Sequence, residues 1–170
     1  MAVKLIGSIL IMLGVTGIGI AIGMREKYRL NALVELRQDI NAILSKLIYS
    51  REIFYNVLKG INEDSKELKL VYDCVLKGLE NNNTIELAWR FAFERYKKEL
   101  YFRESDIRGI IRLGEIFSSS DIDYQSSELK LKLRELDEEI IKSRDVIDRN
   151  FKVSRSLSIS IAAFIIILLF

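Results

Sequence analysis

The sequence predicts an all-α fold, an antiparallel bundle of about five to six helices flanked by N- and C-terminal transmembrane helices. The 170 residues include no proline, and only four of the nine glycines lie outside the first apolar segment, so helix breakers are nearly absent. Apolar residues recur at alternating steps of three and four through the middle of the chain. Both ends are apolar and uncharged, whereas the middle is charged. We therefore expect a helical domain tethered at each end to one membrane.

The N-terminal apolar segment runs from Leu5 to Met24 and has no charged residue in 20 positions. As a helix it would cover about 30 Å, the thickness of a bilayer's hydrocarbon core, which predicts a transmembrane helix. A secretory signal peptide is the alternative, with Lys4 as its basic region and the small residues of 19–23 near a cleavage point. Three following cations favour the membrane helix and keep residue 25 onward in the cytoplasm. They are Arg25, Lys27 and Arg29.

The C-terminal apolar segment, residues 156–170, also predicts a transmembrane helix whose charged flank lies in the cytoplasm. It covers only about 23 Å as a helix, which is short for a span, although Ser154 and Ser156 suit an interface and would lengthen it. Five cations precede it: Lys142, Arg144, Arg149, Lys152 and Arg155. The predicted organisation is a transmembrane helix at 1–24, a cytoplasmic helical bundle at 25–155 and a second transmembrane helix at 156–170.

A heptad-like apolar seam follows the first span and predicts one long helix closed by Gly60. Its members are Leu33, Leu36, Ile40, Ile43, Leu47, Phe54, Val57 and Ile61. A turn is expected at 62–65, with Asp64 and Glu67 spaced as a capping box. The second helix should then run to about Leu79.

Gly78 and the asparagines at 81–83 predict the next break, where Asn83 and Glu86 have capping spacing. A third helix should start at Thr84 and reach about Phe102, with one broad apolar face. Its members are Ile85, Ala88, Trp89, Ala92, Phe93 and Tyr96.

A fourth, shorter helix is expected after Ser105 or Asp106 as its cap. Its apolar residues are Ile107, Ile110, Ile111, Leu113, Ile116 and Phe117. The serines at 118–120 predict a loop, and Asp121 should cap a final long helix that leads into the second span. Its seam comprises Leu129, Leu133, Leu136, Ile140, Ile147 and Phe151.

Composition predicts no catalytic, cofactor or metal site, and therefore neither an enzyme nor a small-molecule substrate. Histidine is absent, and neither a phosphate-binding P-loop nor a serine-nucleophile elbow occurs. The lone Cys74 cannot form an internal disulfide and is expected in the core of a protein in a reducing compartment. The carboxylates at 137–139 point in different directions on a helix and are interpreted as a solvated face. A net charge of +2 is too balanced to indicate nucleic acid.

Two features are candidate interaction surfaces. Small residues, Gly7, Gly14, Gly17 and Ala21, form a stripe on the first span that would let another membrane helix approach closely. Arg108 and Arg112, one helical turn apart, predict a basic patch for an acidic partner or lipid headgroups. The alternatives are that glycine is simply frequent in membrane helices and that the arginines form a solvated face.

The order of several short motifs resembles the stage III sporulation protein AB family of endospore-forming bacteria over nearly the full length. These motifs are Lys4-Leu5-Ile6-Gly7, Ala88-Trp89, Ile110-Ile111-Arg112-Leu113-Gly114-Glu115, Asp121, Gln125 and the closing run at 165–170. The chain departs from the family at Phe117-Ser118, where members carry Leu-Gly at a helix end. The family's helical domain is similar to the platform protein of type II secretion and type IV pilus systems.

The resemblance implies a non-enzymatic scaffold in the channel complex between mother cell and forespore. It implies a place in the outer forespore membrane facing the mother-cell cytoplasm, with membrane proteins of the complex and a secretion-type ATPase as partners. An alternative is a membrane-tethered signalling or structural coiled coil that dimerises through the Leu33–Ile61 seam. A third, a hydrolase at the membrane face, rests only on scattered carboxylates.

Overall fold

The computed structural model shows six helices among the residues it describes, and the predicted all-α fold is confirmed. It describes the backbone of residues 2–49 and 53–169, and the side chains of 23–47, 53–150 and 153. The helices are α1 (Ala2–Tyr49), α2 (Phe54–Asp64), α3 (Lys69–Glu80), α4 (Ile85–Tyr96), α5 (Glu104–Ser118) and α6 (Ile122–Leu169). The chain forms two compact units, one of Met1–Lys27 with Lys142–Phe170 and one of Tyr28–Ile141.

The predicted spans lie almost wholly outside the residues whose side chains are described, as do Gly7, Gly14, Gly17 and Ala21. Within the part that is described, no helix is both long enough and apolar enough to cross a membrane.

The unit of residues 28–141 is a helical bundle in which consecutive helices run antiparallel. In α2 and α3, for example, the Tyr55 hydroxyl donates to Glu80 over 2.7 Å, and Asn62 donates to Asp73 over 2.6 Å. Arg112 of α5 likewise pairs with Glu128 early in α6. Short connections favour this arrangement, since they return the chain beside the helix it has just left.

Trp89 of α4 is the centre of the core and is fully buried. Its ring lies 4.7 Å from the ring of Phe93, 5.2 Å from that of Phe117 and 6.1 Å from that of Tyr72, measured between centroids. The indole N–H donates to the carbonyl oxygen of Ile110 over 2.8 Å. The one buried polar atom of this ring is therefore satisfied, and α3, α4 and α5 converge on one aromatic cluster.

The predicted long helix through Gly60 is wrong. α1 ends at Tyr49, Ile53 is extended, and a separate helix, α2, contains Gly60. The seam itself is correctly predicted, because the side chains of Leu33, Leu36 and Ile40 are each at most 1% exposed. The extended Ile53 precedes Phe54, whose ring packs against that of Phe117 at 4.9 Å between ring centroids. The described members of the seam that are buried, from Leu33 to Ile43 and again at Phe54 and Val57, are covered by the chain's own helices and so are not available to a dimeric coiled coil.

Three predicted helix caps are also wrong, although the helices exist. α3 begins at Lys69 without the Asp64–Glu67 capping box. Thr84, rather than Asn83, caps α4 by accepting the N–H of Leu87. Asp106 lies inside the first turn of α5 and accepts the N–H of Arg103 over 2.8 Å, so it closes the turn from within.

Of two further helix boundaries, one differs from the prediction and one confirms it. α4 ends at Tyr96, and a run of turns at 97–101 follows where the helix was expected to continue to Phe102. Asp121 does cap α6 as predicted, accepting the N–H of Tyr124 over 3.0 Å.

Candidate functional site

A buried ion cluster joins three helices of the bundle. Arg29 of α1 is only 1% exposed, and its Nε and Nη2 donate to the two carboxylate oxygens of Asp106 on α5 over 2.7 and 2.6 Å. The same Nη2 donates to Oε1 of Glu139 on α6 over 2.8 Å. The two bonds to Asp106 form the planar, bidentate arrangement that guanidinium and carboxylate groups favour. We call these three residues the Arg29 clamp.

The electrostatics of the clamp keep its arginine charged. Burial disfavours the charged guanidinium, but hydrogen bonds from Arg29 to Asp106 and Glu139 outweigh that effect, and the pKa of Arg29 is raised above its usual value. Two carboxylates face one cation. The Asp106 side chain is 3% exposed and the Glu139 side chain 33%, so only the second carboxylate reaches solvent. The clamp therefore acts as a connection between three helices, α1, α5 and α6.

A groove of about 180 Å³ lies beside the clamp, between α5 and α6. Leu33, Ile110 and Leu136 line it together with Gly109, at which a Cβ atom would meet nothing within 4 Å. The Lys132–Glu135 ion pair borders the same groove. Its walls combine aliphatic with polar and charged side chains. Among the described side chains, no group of three or more Cys, Asp and Glu residues is placed to hold a metal ion.

A second polar contact fixes α3 against α1. The carboxylate of Glu35 accepts the Ser65 hydroxyl and the backbone N–H groups of Lys66, Glu67 and Leu68, so it holds the loop that leads into α3. Burial raises the pKa of Glu35, but these hydrogen bonds outweigh burial and the pKa lies below its usual value.

One turn further along α1, Asp39 accepts the hydroxyl of the buried Tyr72 over 2.7 Å. Burial raises the pKa of Asp39 from 3.8 to about 6, opposed by that hydrogen bond and reinforced by the negative charge of Glu35. The pKa of Tyr72 is raised well above its usual value by burial and by the Asp39 charge. Both groups thus serve the α1–α3 contact.

The structure places the predicted basic pair on the surface of α5. Arg108 and Arg112 are both exposed, and Arg112 lies 3.4 Å from a carboxylate oxygen of Glu128 on α6. They follow Asp106 on the same helix, so the predicted patch and the Arg29 clamp share α5.

Sequence reasoning missed the clamp because each member had a plausible surface role. Arg29 was interpreted as a membrane-flanking cation, Asp106 as a helix cap and Glu139 as part of a solvated face. A signal was present: Arg29 lies four residues before Leu33, so it extends the buried seam of α1 by one position. Asp106 similarly precedes the buried Ile110 by four. A charged residue in register with a buried face indicates a paired interior ion.

Comparison with known proteins gives two matches. A family model described as stage III sporulation protein AB matches residues 4–170. A solved structure of a stage III sporulation protein AB has a TM-score of 0.67 at 15% identity, covering 71% of this chain and 97% of that chain. At that identity the structural likeness shows the fold alone. No curated protein matches the sequence.

Proposed function

This chain belongs to the stage III sporulation protein AB family, as its motifs predict, and we propose that it is a non-enzymatic platform of the channel complex between mother cell and forespore. In this role the bundle couples a secretion-type ATPase to membrane partners. Residues 1–24 and 156–170 are the two membrane anchors, and 25–155 faces the mother-cell cytoplasm from the outer forespore membrane. Membership of a sporulation family supports the setting, and the distribution of cations beside both apolar segments supports the orientation.

The Arg29 clamp is the observation that carries this proposal. α1 and α6 are the helices that contain the predicted spans. In the clamp, Arg29 of α1 donates hydrogen bonds of 2.6–2.8 Å to Asp106 of α5 and to Glu139 of α6, so all three helices are joined. A load applied to α5 therefore reaches both span-bearing helices through bonds of defined geometry. Such a connection suits a protein that transmits work, because ion pairs in a buried site resist sliding of one helix along another.

Arg108 and Arg112 form the proposed contact with the ATPase. They are exposed on the same helix that holds Asp106, so a partner bound to them acts directly on the clamp. The small-residue stripe at Gly7, Gly14, Gly17 and Ala21 is the proposed contact with membrane partners, since close backbone approach drives helix association in lipid.

Co-purification of the complex from sporulating cells tests both contacts. Arg108→Glu with Arg112→Glu should lose the ATPase and retain the membrane partners, whereas Lys59→Glu with Lys77→Glu makes the same charge change at exposed positions of α2 and α3 and should retain both. Gly14→Leu should lose the membrane partners. Met12→Leu, which creates the same side chain on the opposite side of that helix, should keep them.

Equal recovery of the ATPase with both double variants would remove Arg108 and Arg112 from the contact. Equal recovery of membrane partners with Gly14→Leu and Met12→Leu would remove the stripe. Spore formation that is normal with both damaging variants would count against the platform role as a whole.

A further inference from the structure

A second groove, of about 380 Å³, lies within the unit of residues 28–141. Three tyrosines line it, Tyr28 of α1, Tyr96 at the end of α4 and Tyr101 in the turns that follow. The rings of Tyr28 and Tyr101 have centroids 6.2 Å apart and planes 31° from parallel, so a single bound group can contact both. We call this the tyrosine groove. Exposed aromatic side chains gathered in a concave site are typical of an interaction surface.

The backbone holds Tyr101 outward at a conformational cost. Its φ of 55° lies in the left-handed region, which a bulky side chain adopts reluctantly. The turn is kept by two backbone bonds, from Tyr101 N–H to the Lys98 carbonyl and from Phe102 N–H to the Lys97 carbonyl. Phe102 is thereby buried while Tyr101 remains 42% exposed. Backbone strain that presents a ring to the surface indicates a role for that ring outside the core.

The charged side chains that line the groove are two carboxylates, Glu67 and Glu99, and one ammonium group, Lys66, which leaves one negative charge in excess. Within the part of the chain whose side chains are described, neither carboxylate forms an ion pair. Lys97, which is close in sequence, is instead held by Glu94 and Glu104 at 3.0 and 2.9 Å. The balance of charge in the groove therefore favours a cationic ligand.

Aromatic faces strengthen that preference, since the π electrons of a phenol ring attract a cation. The chain supplies an example, because the guanidinium carbon of Arg95 lies 5.7 Å from the centroid of the Tyr96 ring. A guanidinium group suits the tyrosine groove better than an ammonium group does. It is planar and stacks on rings, and its N–H groups donate in pairs to a carboxylate.

The rest of the groove fits the aliphatic stem of such a side chain. Leu70, which is 60% exposed, lines it together with Val71 and Leu100. We propose that the tyrosine groove binds an arginine side chain of a partner protein. The guanidinium group stacks on the rings of Tyr28 and Tyr101 and pairs with the carboxylates of the groove. This inference depends on neither the platform role nor the membrane anchors.

Fluorine NMR of the full chain in uncharged dodecyl maltoside micelles tests the proposal. Every tyrosine is replaced biosynthetically by meta-fluorotyrosine, and the resonances are assigned with the variants Tyr28→Phe, Tyr101→Phe and Tyr124→Phe. The probe is a blocked glycine pentapeptide with arginine at its centre. It should shift the resonances of residues 28 and 101 until they saturate and leave that of 124 unmoved. Tyr124 is the matched control, since it lies outside the groove and is 43% exposed against 42% for Tyr101.

Two further peptides decide the chemistry of recognition. A probe with citrulline, which has the shape of arginine without its charge, should bind about tenfold more weakly or worse. Equal affinity of the citrulline and arginine probes would overturn the proposal, as would an equal shift at residue 124. A lysine probe that binds as tightly as the arginine probe would overturn the assignment to arginine.

Substitutions in the groove test its carboxylates. Glu67→Gln with Glu99→Gln should weaken binding of the arginine probe about tenfold. Glu63→Gln with Asp123→Asn makes the same change of charge at exposed positions outside the groove and should leave binding unaltered. Equal affinities of the two double variants would overturn the role of the carboxylates and with it the proposal.

Tyr101→Gly separates the ring from the fold. Glycine adopts the left-handed conformation freely, so this variant should keep the turn while it weakens binding of the arginine probe about fivefold. Undiminished affinity would overturn the proposal. The emission of Trp89, the single tryptophan, confirms that each variant keeps its core.

Discussion

α5 is joined to its neighbours in two contrasting ways. Against α4 it makes an apolar contact so close that a Cβ atom added at Gly114 would lie 3.0 Å from the Cβ of Trp89 and 3.2 Å from the Cα of Glu86. Against α1 and α6 it is held by Asp106 through the Arg29 clamp. One side of the helix thus depends on packing and the other on charge.

The contrast indicates a division of labour between stability and position. Apolar packing removes large surfaces from water and supplies most of the free energy of folding. A buried ion pair gains little over an apolar replacement, because desolvation offsets its attraction, yet breaking it leaves an unpaired charge. The α4–α5 contact therefore holds the bundle together, whereas the clamp fixes how α1 and α6 are aligned with α5.

The largest expected effect comes from Arg29→Met. Loss of the cation leaves Asp106 buried without its partner and should lower the free energy of unfolding by about 3–5 kcal/mol. Urea unfolding of the full chain in detergent, followed by Trp89 fluorescence, measures it. Arg37→Met is the matched control: its partner Asp137 is 2.9 Å away, but the two side chains are 39% and 47% exposed. Arg37→Met should lower the free energy of unfolding by at most about 1 kcal/mol.

A second substitution sharpens the result. Asp106→Asn removes the unpaired charge while retaining an oxygen for the N–H of Arg103, so the double variant with Arg29→Met should regain part of the lost stability. If Arg29→Met and Arg37→Met lower stability equally, the clamp does not differ from a surface pair.

A smaller effect is expected on the apolar side of α5. Gly114→Ala forces the backbones of α4 and α5 apart and should cost about 1–3 kcal/mol. Gly109→Ala, on the same helix with open space around its Cβ position, should be neutral or stabilising by about 0.5–1 kcal/mol because alanine favours helix. The same unfolding measurement applies, and equal values for the two variants would contradict the close α4–α5 contact.

The smallest effect concerns pH and a third contact, between α1 and α3. The pKa of Asp39 is 3.8 in ordinary surroundings and about 6 in the fold, so the folded protein binds the proton more tightly. This carboxylate should therefore reduce stability as pH rises from 4 through 6, and the loss is complete above that range. Asp39→Asn should stabilise the protein at pH 8 by about 1 kcal/mol, after allowance for solvent screening.

That gain should vanish near pH 4, where Asp39 itself is protonated and resembles asparagine. A gain that persists unchanged at low pH would mean that the charge of Asp39 is not its cause. The effect of Glu35 on stability has the opposite dependence on pH. Because its pKa is lowered in the fold, its carboxylate stabilises the protein at neutral pH, and this stabilisation is lost under acid conditions as the carboxylate becomes protonated.

The predicted apolar faces agree closely with the observed core, and the helix ends agree poorly. Ala88, Trp89 and Phe93 on α4, and Ile107, Ile110 and Leu113 on α5, are buried as their spacing predicts. The start of α3 was missed because the loop before it is held by Glu35, which lies more than 30 residues away in the chain. A capping pattern within four residues cannot reveal a carboxylate brought from another helix.

By itself, the sequence determined the helical class, the buried stripe of each helix and the family of this protein, since these depend on periodicity and local motif order. Only the tertiary structure decided that Arg29, Asp106 and Glu139 meet, and that Tyr28 meets Tyr101. The reason is physical: a local pattern tells which face of a helix avoids water, whereas the partner of a buried charge depends on how separate helices are aligned in space.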